Sequence, residues 1–170
     1  MKGLLVTLPV RRAAAALALG AALVTAGCGT TEAGRAATVD GRVITESQVN
    51  TARTEINKAF PDANLTASDV LYRLIEAPYV IDYVAKQGAP QSASVARANF
   101  PATADPSDEA IELLRGQYAR QVLQQAGQTL PAEAMAGVKV VVNPRYGTFD
   151  PSKTELTPSR PDWLESSTTK

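Results

Sequence analysis

Few side chains in this 170-residue chain could carry out chemistry, and the residue types that are absent narrow the choice further. The sequence has no histidine and a single cysteine, Cys28. Histidine-based triads, imidazole acid–base catalysis and thiolate metal clusters are therefore excluded. No glycine-rich loop of the G-x-G-x-x-G or Walker type occurs either. The sequence thus predicts no catalytic residue, no metal site and no cofactor, and we expect a protein that is not an enzyme.

Acidic side chains cluster at Asp105, Asp108, Glu109 and Glu112. A pair of carboxylates can act as acid and base in glycoside hydrolysis, and a group of them can bind calcium. Acidic residues at the start of a helix also stabilise it through the macrodipole, with no ligand involved. We favour this second interpretation, because a helix is predicted to begin at this point.

Aromatic side chains offer a possible binding surface. Tyr72, Tyr79 and Tyr83 follow one another at spacings of seven and four, which places them on one face of a predicted helix. As a stripe they could line an apolar groove that binds peptides, or they could form the partly exposed edge of a core, which is the commoner arrangement. The single tryptophan, Trp163, falls in a predicted tail and is either incidental or able to dock into a groove.

Residues 1–27 have the layout of a secretory signal. Lys2, Arg11 and Arg12 provide a basic start, an uncharged apolar stretch runs from Ala13 to Val24, and small residues follow. A helix needs about 20 apolar residues to cross a bilayer, so this stretch is too short for a transmembrane segment. We expect a cleavable signal peptide.

Cys28 follows this segment directly, and residues 25–28 resemble the bacterial lipobox, whose cysteine receives diacylglycerol before cleavage. The resemblance implies a lipoprotein held on the extracytoplasmic side of the cell membrane by lipid on Cys28. Two or more acyl chains are enough for stable anchoring. The alternative is an ordinary signal with an unrelated cysteine beside the cleavage site, which would leave an unpaired thiol in an oxidising compartment.

The chain that would remain after cleavage is weakly acidic. Residues 28–170 contain 14 basic and 17 acidic residues, a net charge of −3. Nucleic-acid binding depends on clustered Lys and Arg, so we expect no nucleic-acid partner. The composition after residue 28 predicts a short tether over residues 28–36, one domain over residues 37–149 and a disordered tail over residues 150–170.

The predicted domain begins with a hairpin and a helix. Asp40-Gly41 suits a type I′ turn between strands at residues 37–39 and 42–44. Thr45 and Gln48 then form the pattern of a capping box, and the helix that follows should end at Pro61.

Two long helices follow. Thr66 and Asp69 predict a second capping box, and Pro78 should free the carbonyl of Leu74 inside the helix and bend it there. A shorter helix is expected around residues 93–100. For the last long helix the sequence predicts Asp105 as the N-cap, with Pro106 at the first helical position and Gly127 closing the other end.

The last predicted element is a strand over Val138–Val142, whose natural partner is the hairpin near Val39. An isolated hairpin is marginal in water, and a third strand from the other end of the domain would stabilise it. We therefore expect a small antiparallel sheet built from both ends of residues 37–149.

Two segments resemble a known chaperone family. Ala37–Val49 is similar to the strand-turn-strand and helix that open the SurA N-terminal domain, which PrsA-like foldases share and which is related to the substrate-binding region of trigger factor. Val142–Gly147 resembles the last strand and exit of such foldases. The resemblance implies a mainly helical module, closed by a small antiparallel sheet from both chain ends, that holds unfolded or extended polypeptides in an apolar groove.

Members of this family usually carry parvulin prolyl-isomerase domains after the helices. Here only residues 128–136 separate the last long helix from the closing strand, so no such domain fits. The resemblance therefore implies a lipid-anchored holdase without isomerase activity. The alternative is a non-catalytic scaffold or adaptor lipoprotein that recognises one specific envelope partner.

Overall fold

The chain forms a mainly helical domain with two small antiparallel sheets, as the sequence predicts at this coarse level. The computed structural model describes residues 34–102, 104–150, 153 and 155–157. Within these ranges there are four α-helices and five strands. The predicted signal segment 1–27, Cys28 and Trp163 lie outside the described residues.

The predicted hairpin is present, with strand β1 at Arg35–Val39 and strand β2 at Arg42–Thr45. Both turn residues have positive φ, 48° at Asp40 and 86° at Gly41, as a type I′ turn requires. The predicted tether was too long by two residues. Strand β1 already begins at Arg35, which pairs with Thr45, and Ala36, like Ala37, is completely buried.

The closing strand is also confirmed, as β3 at Val140–Val142. It pairs antiparallel with β1, so the sheet order is β2-β1-β3 and the strand from the start of the domain lies in the centre. The backbone N–H of Asn143 continues the ladder by donating to the carbonyl of Ala36 at 2.8 Å. The two ends of the domain are thus joined by backbone hydrogen bonds.

Thr38, in the middle of β1, carries a buried hydroxyl with no hydrogen-bond partner among the described residues. Its strand neighbours are Val43 and Val141, so nothing polar faces it from either side. A buried hydroxyl without a partner costs about 1–3 kcal/mol, and valine has nearly the same shape. We expect Thr38→Val to raise the free energy of unfolding by about 1 kcal/mol, measured by urea denaturation. Thr38→Ser, which keeps the hydroxyl, is the control and should not stabilise the domain.

Helix α1 spans Glu46–Ala59, and α2 spans Ala67–Lys86. Both predicted capping boxes are present: the Thr45 hydroxyl accepts from the N–H of Gln48, and Thr66 pairs in the same way with Asp69. Each cap satisfies backbone N–H groups that the first helical turn leaves without partners. The two helix starts are therefore encoded locally.

The α2 cap makes a pH-dependent contribution to stability. Hydrogen bonds from the side chain and backbone of Thr66 lower the pKa of Asp69 below its usual 3.8. A carboxyl whose pKa falls on folding stabilises the fold above the unfolded-state pKa, and this contribution is lost as pH falls through the folded-state pKa. We expect Asp69→Ala to reduce the free energy of unfolding at pH 7 by about 1 kcal/mol, and by much less near pH 2. Equal losses at both pH values would show that the ionised carboxylate contributes nothing.

Pro78 lies inside α2 and cannot donate a hydrogen bond to the carbonyl of Leu74. Arg42 fills this gap: its Nη2 donates to the Leu74 oxygen at 2.8 Å, and its Nη1 bonds the carboxylate of Glu112 at 3.1 Å. One guanidinium from the hairpin thereby joins two helices. The bend predicted at Pro78 stays a prediction.

Helix α3 spans Ala93–Ala98, and α4 spans Asp108–Gln125. The prediction that Asp105 caps α4 was wrong, and Pro106 is not its first residue. Ser107 is the N-cap, with its hydroxyl accepting from the N–H of Ala110. Glu55 of α1 fixes this cap, because its carboxylate accepts from both the N–H and the hydroxyl of Ser107, at 2.9 and 2.6 Å.

The core lies between α2 and α4, which make the most extensive contact between elements. The two helices approach closely at Gly116, where an added Cβ would lie 3.0 Å from the Cβ of Ala77. The largest fully buried side chains are Leu71, Leu74, Ile75, Leu123, Met135, Val49, Val70, Val80 and Val84. The sheet covers one side of this helical core through residues such as Val39 and Ile44.

The predicted disordered tail was wrong for residues 155–157. Strand β4, at Thr148–Asp150, pairs antiparallel with β5 at Glu155–Thr157. Phe149 is buried, and Leu156, opposite it in the pairing, packs against the same core. The polar composition of this region predicts disorder, so it gives no indication that Leu156 belongs to the core. Residues 158–170 lie outside the described part of the chain.

Candidate functional site

The three tyrosines predicted to bind peptides do not line one groove. Tyr79 contacts the hairpin, donating its hydroxyl to the carboxylate of Asp40 at 3.2 Å. Tyr83 packs against a small separate core formed by Val80, Val84, Ala119 and Leu123. Tyr72, nearer the start of α2, lines a polar recess. Each ring is partly buried against the fold, so the three form an edge of the core.

A different surface has the form of a binding groove. An open cleft of about 400 Å³ lies between α1, α2 and α4. Its apolar lining consists of Ile56, Phe60, Ala63, Leu65, Leu113, Leu114 and Tyr118. Its polar lining residues are Arg73, Gln117 and Gln121, so Arg73 is the one charged side chain among the described residues that line it. We call this surface the apolar cleft.

The wall of the apolar cleft begins where α1 ends. Phe60 leaves the helix ahead of Pro61, and a short 3-10 turn carries the chain to Leu65. Asn57 holds this connection in place, because its amide group accepts from the N–H of Leu65 and donates to its carbonyl, both at 2.9 Å. Phe60 also packs edge-on against Phe100 at 5.5 Å. The cleft is therefore bounded by a fixed connection.

The polar recess lies beside the cleft, since Gln117 of the cleft is hydrogen-bonded to Arg120 of the recess. It is lined by Tyr72, Glu76, Arg120, Leu123, Gln124, Gln128, Thr129, Leu130 and Lys153. Glu76 is 5% exposed and accepts from Arg120 Nη1 at 2.6 Å. Burial raises the pKa of the nearby Tyr72 hydroxyl, and the charge of Glu76 acts in the same direction.

Gln117 joins the two surfaces. Its side-chain oxygen accepts from Arg73 Nη1 at 2.8 Å and from Arg120 Nη2 at 3.5 Å. Arg73 has no carboxylate within 4 Å among the described residues, whereas Arg120 is paired with Glu76. Burial lowers the pKa of Arg73, and the positive charge of Arg120 lowers it further. The carboxylates of Asp69 and Glu76 act in the opposite direction and raise the pKa of Arg73. The cleft thus has one partly buried cation, whose hydrogen-bond partner is Gln117.

The carboxylate cluster near α4 does not assemble into a catalytic pair or a metal site. Asp105 and Asp108 are exposed and lie near Arg97, at 3.6 and 3.9 Å. Glu109 accepts from Gln48. Glu112 pairs with Arg42, although its burial raises its pKa. No group of three potential metal ligands occurs in the described ranges.

Sequence reasoning missed the apolar cleft because its residues looked like ordinary core. Phe60 and Tyr118 recur with other apolar residues at helical spacing, which predicts buried positions, and the cleft is present because the packing leaves them partly uncovered. One signal was available in α4. Leu113, Leu114 and Tyr118 give it a wide apolar face, of which Leu113 and Leu114 are buried and Tyr118 is only partly covered.

Comparisons with protein-family models, curated proteins and solved structures found no match to this chain. Among the described helices, none is long and apolar enough to cross a membrane. The function of this chain is therefore inferred from its own residues.

Proposed function

We propose that this protein is a lipid-anchored cell-envelope holdase that binds unfolded or extended polypeptides without ATP. The observation that carries the proposal is the open apolar cleft between α1, α2 and α4. An uncovered apolar surface of this kind on a single domain is a typical interaction site. The resemblance of residues 37–49 and 142–147 to the SurA N-terminal chaperone module supports the same function and implies the same fold family.

The shape of the cleft favours broad and weak binding. It is open, and apart from Arg73 and two glutamines it offers no polar groups that could select one sequence. Apolar contacts give affinity without direction, so many clients can be held briefly. We propose no isomerase activity, and the short connection from Gln125 to Val140 supports this, because it holds one 3-10 turn at Ala132–Met135.

The test is suppression of aggregation by the chain from Gly29 to Lys170, which keeps every described residue. We expect it to slow aggregation of several unrelated unfolded proteins. Tyr118→Ser, in the cleft, should weaken this effect severalfold, whereas Tyr83→Ser, at a residue that packs on the separate small core and does not line the cleft, should not. No suppression by the wild-type protein, or equal losses in the two variants, would contradict the proposal.

A specific observation supports a second candidate, a scaffold or adaptor for one folded partner. Val43 and Val141 lie on either side of Thr38 on the outer face of the sheet, and both are exposed, at 49% and 65%. The outer strands β2 and β3 could also accept a further strand. Crosslinking in cells separates the candidates: one stoichiometric partner, lost in Val141→Lys, would favour the scaffold, and many weak partners would favour the holdase.

The membrane anchor is a separate proposal, and it depends on Cys28. No other thiol exists in the chain to receive a lipid. We expect Cys28→Ser to abolish incorporation of labelled fatty acid and to release the protein from membranes or leave its signal uncut. Normal membrane retention of the cleaved serine variant would show that something else holds the protein there.

A further inference from the structure

Two glutamines of α4, Gln117 and Gln121, lie at the polar edge of the apolar cleft. The side-chain oxygen of Gln117 accepts from Arg73 at 2.8 Å and from Arg120 at 3.5 Å. A guanidinium only donates hydrogen bonds, so the oxygen of the Gln117 amide faces the two arginines and its nitrogen points away from them. The two arginines therefore fix the orientation of this amide.

The nitrogen of the Gln117 amide is a donor without an acceptor. In the part of the chain that the structure describes, Gln117 makes no hydrogen bond besides the two from the arginines, and its Nε2 is not sealed from the surface. Gln117 lines the apolar cleft and does not line the polar recess. Its two N–H groups are thus presented at the edge of the cleft.

Gln121 lies four residues further along α4, on the same face of the helix. Its exposed amide makes no hydrogen bond to any described residue. Residues four apart are separated by about 6 Å along a helix axis. In an extended chain the backbone groups of every second residue point to the same side, at intervals of about 6.7 Å. The two amides are therefore spaced to meet successive same-side backbone groups of one extended chain.

The apolar floor of the cleft is suited to the side chains of the same extended chain. Residues such as Phe60, Leu65 and Leu113 form this floor. A chain that bonds the two glutamines with one edge can place every second side chain on the floor, because side chains alternate between the two faces of an extended backbone. A lipid chain would cover the floor but would leave the Gln117 donor without an acceptor, which is unfavourable.

We propose that Gln117 and Gln121 bind the backbone of an extended polypeptide in the apolar cleft. Nε2 of Gln117 donates to a backbone carbonyl, and the amide of Gln121 bonds the residue two positions along the bound chain. This inference rests on the proposed holdase function and names the residues that make the cleft select polypeptides over other apolar ligands. Because every polypeptide has the same backbone, the selection does not depend on client sequence.

Gln117→Glu tests the donor and preserves the contacts of the residue with the fold. The carboxylate still accepts from Arg73 and Arg120, but it has lost the N–H groups that face the cleft. Two probes are titrated with the chain from Gly29 to Lys170: a short fluorescein-labelled peptide of alternating leucine and serine, and pyrene, which is apolar and forms no ordinary hydrogen bonds. We expect the affinity for the peptide to fall about three- to tenfold and the affinity for pyrene to stay the same.

Two further variants complete the test. Gln124→Glu is the matched control, because it adds the same charge to the same helix but lies in the polar recess. It should leave both affinities unchanged. Gln121→Met changes an exposed residue that makes no contact with the fold through its amide. It should lower the affinity for the peptide about two- to threefold and leave the binding of pyrene intact.

Two results would overturn this inference alone. They are an unchanged affinity for the peptide in both Gln117→Glu and Gln121→Met, and a parallel loss of the peptide and pyrene in Gln117→Glu, which would mean that Gln117 maintains the shape of the cleft. If the wild-type chain does not bind the peptide, the holdase proposal fails as well. Binding of pyrene in that case would indicate a lipid chain as the occupant.

Discussion

A chain that ends after Gly137 should fail to unfold cooperatively, whereas a chain that ends after Thr157 should melt like the longer protein. The chain that ends after Gly137 lacks β3, so it loses every hydrogen bond between β1 and β3. It also loses the buried side chains of Tyr146 and Phe149. Complete burial of one large apolar side chain contributes about 1.5–3 kcal/mol, and a domain is stable by only about 5–15 kcal/mol.

Circular dichroism melts of the two truncated chains provide the measurement. A third chain, ending after Asp150, separates the contribution of β5. Its loss removes Leu156 from the core, so we expect a lower melting temperature than for the chain ending at Thr157, but still a cooperative transition. Equal melting temperatures for the chains ending at Gly137 and Thr157 would mean that β3 does not stabilise the domain.

Glu76→Leu should destabilise the domain by about 3 kcal/mol, because it leaves the guanidinium of Arg120 largely buried without its carboxylate. The two groups are 2.6 Å apart, and their side chains are 6% and 17% exposed. Removing one member of a buried ion pair costs far more than the pair itself contributes, since the remaining charge has already lost its water. Urea denaturation of Glu76→Leu at pH 7 measures the loss.

The double variant Glu76→Leu, Arg120→Met is the decisive comparison. It replaces the pair by apolar side chains of similar size, and we expect most of the lost stability to return. If the double variant is as unstable as Glu76→Leu alone, the cost comes from poor packing at residue 76 and not from the isolated charge. Glu133→Leu, at an exposed residue, controls for a general effect of removing a carboxylate.

Local chemistry made the starts of α1 and α2 and the hairpin turn predictable. Thr45 and Thr66 reach their capping partners within three residues, and Asp40-Gly41 adopts positive φ without help from the rest of the fold. The pairing of β1 with β3 could also be predicted, because a strand needs a partner and the sequence offers one at each end.

The errors arose where distant residues decide the structure. Ser107 replaces Asp105 as the cap of α4 because Glu55, far away in sequence, accepts its hydrogen bonds. Leu156 joins the core because Phe149 lies opposite it in a pairing with no strong local signal. Neither contact leaves a periodic pattern in the sequence.

The candidate site was the least predictable part. The sequence contains three tyrosines at helical spacing, but the role of each one depends on the residues that surround it. Those surrounding residues are different for each of the three tyrosines. Conversely, the residues of the apolar cleft look buried in the sequence, and only the packing of the folded chain leaves Phe60, Leu65 and Tyr118 partly exposed. A groove forms where several helices pack together, so the spacing of apolar residues within one helix does not predict it.

The central place of β1 decides how the domain responds to mechanical load. If lipid on Cys28 anchors the chain, tension between the anchor and the domain enters the described fold at Arg35, where β1 begins. Both neighbouring strands are antiparallel to β1, so tension directed along it shears two hydrogen-bonded ladders together instead of opening them one bond at a time. The strand nearest the tether is then the hardest to extract, and tension on the anchor loads the sheet before it reaches the helices that form the cleft.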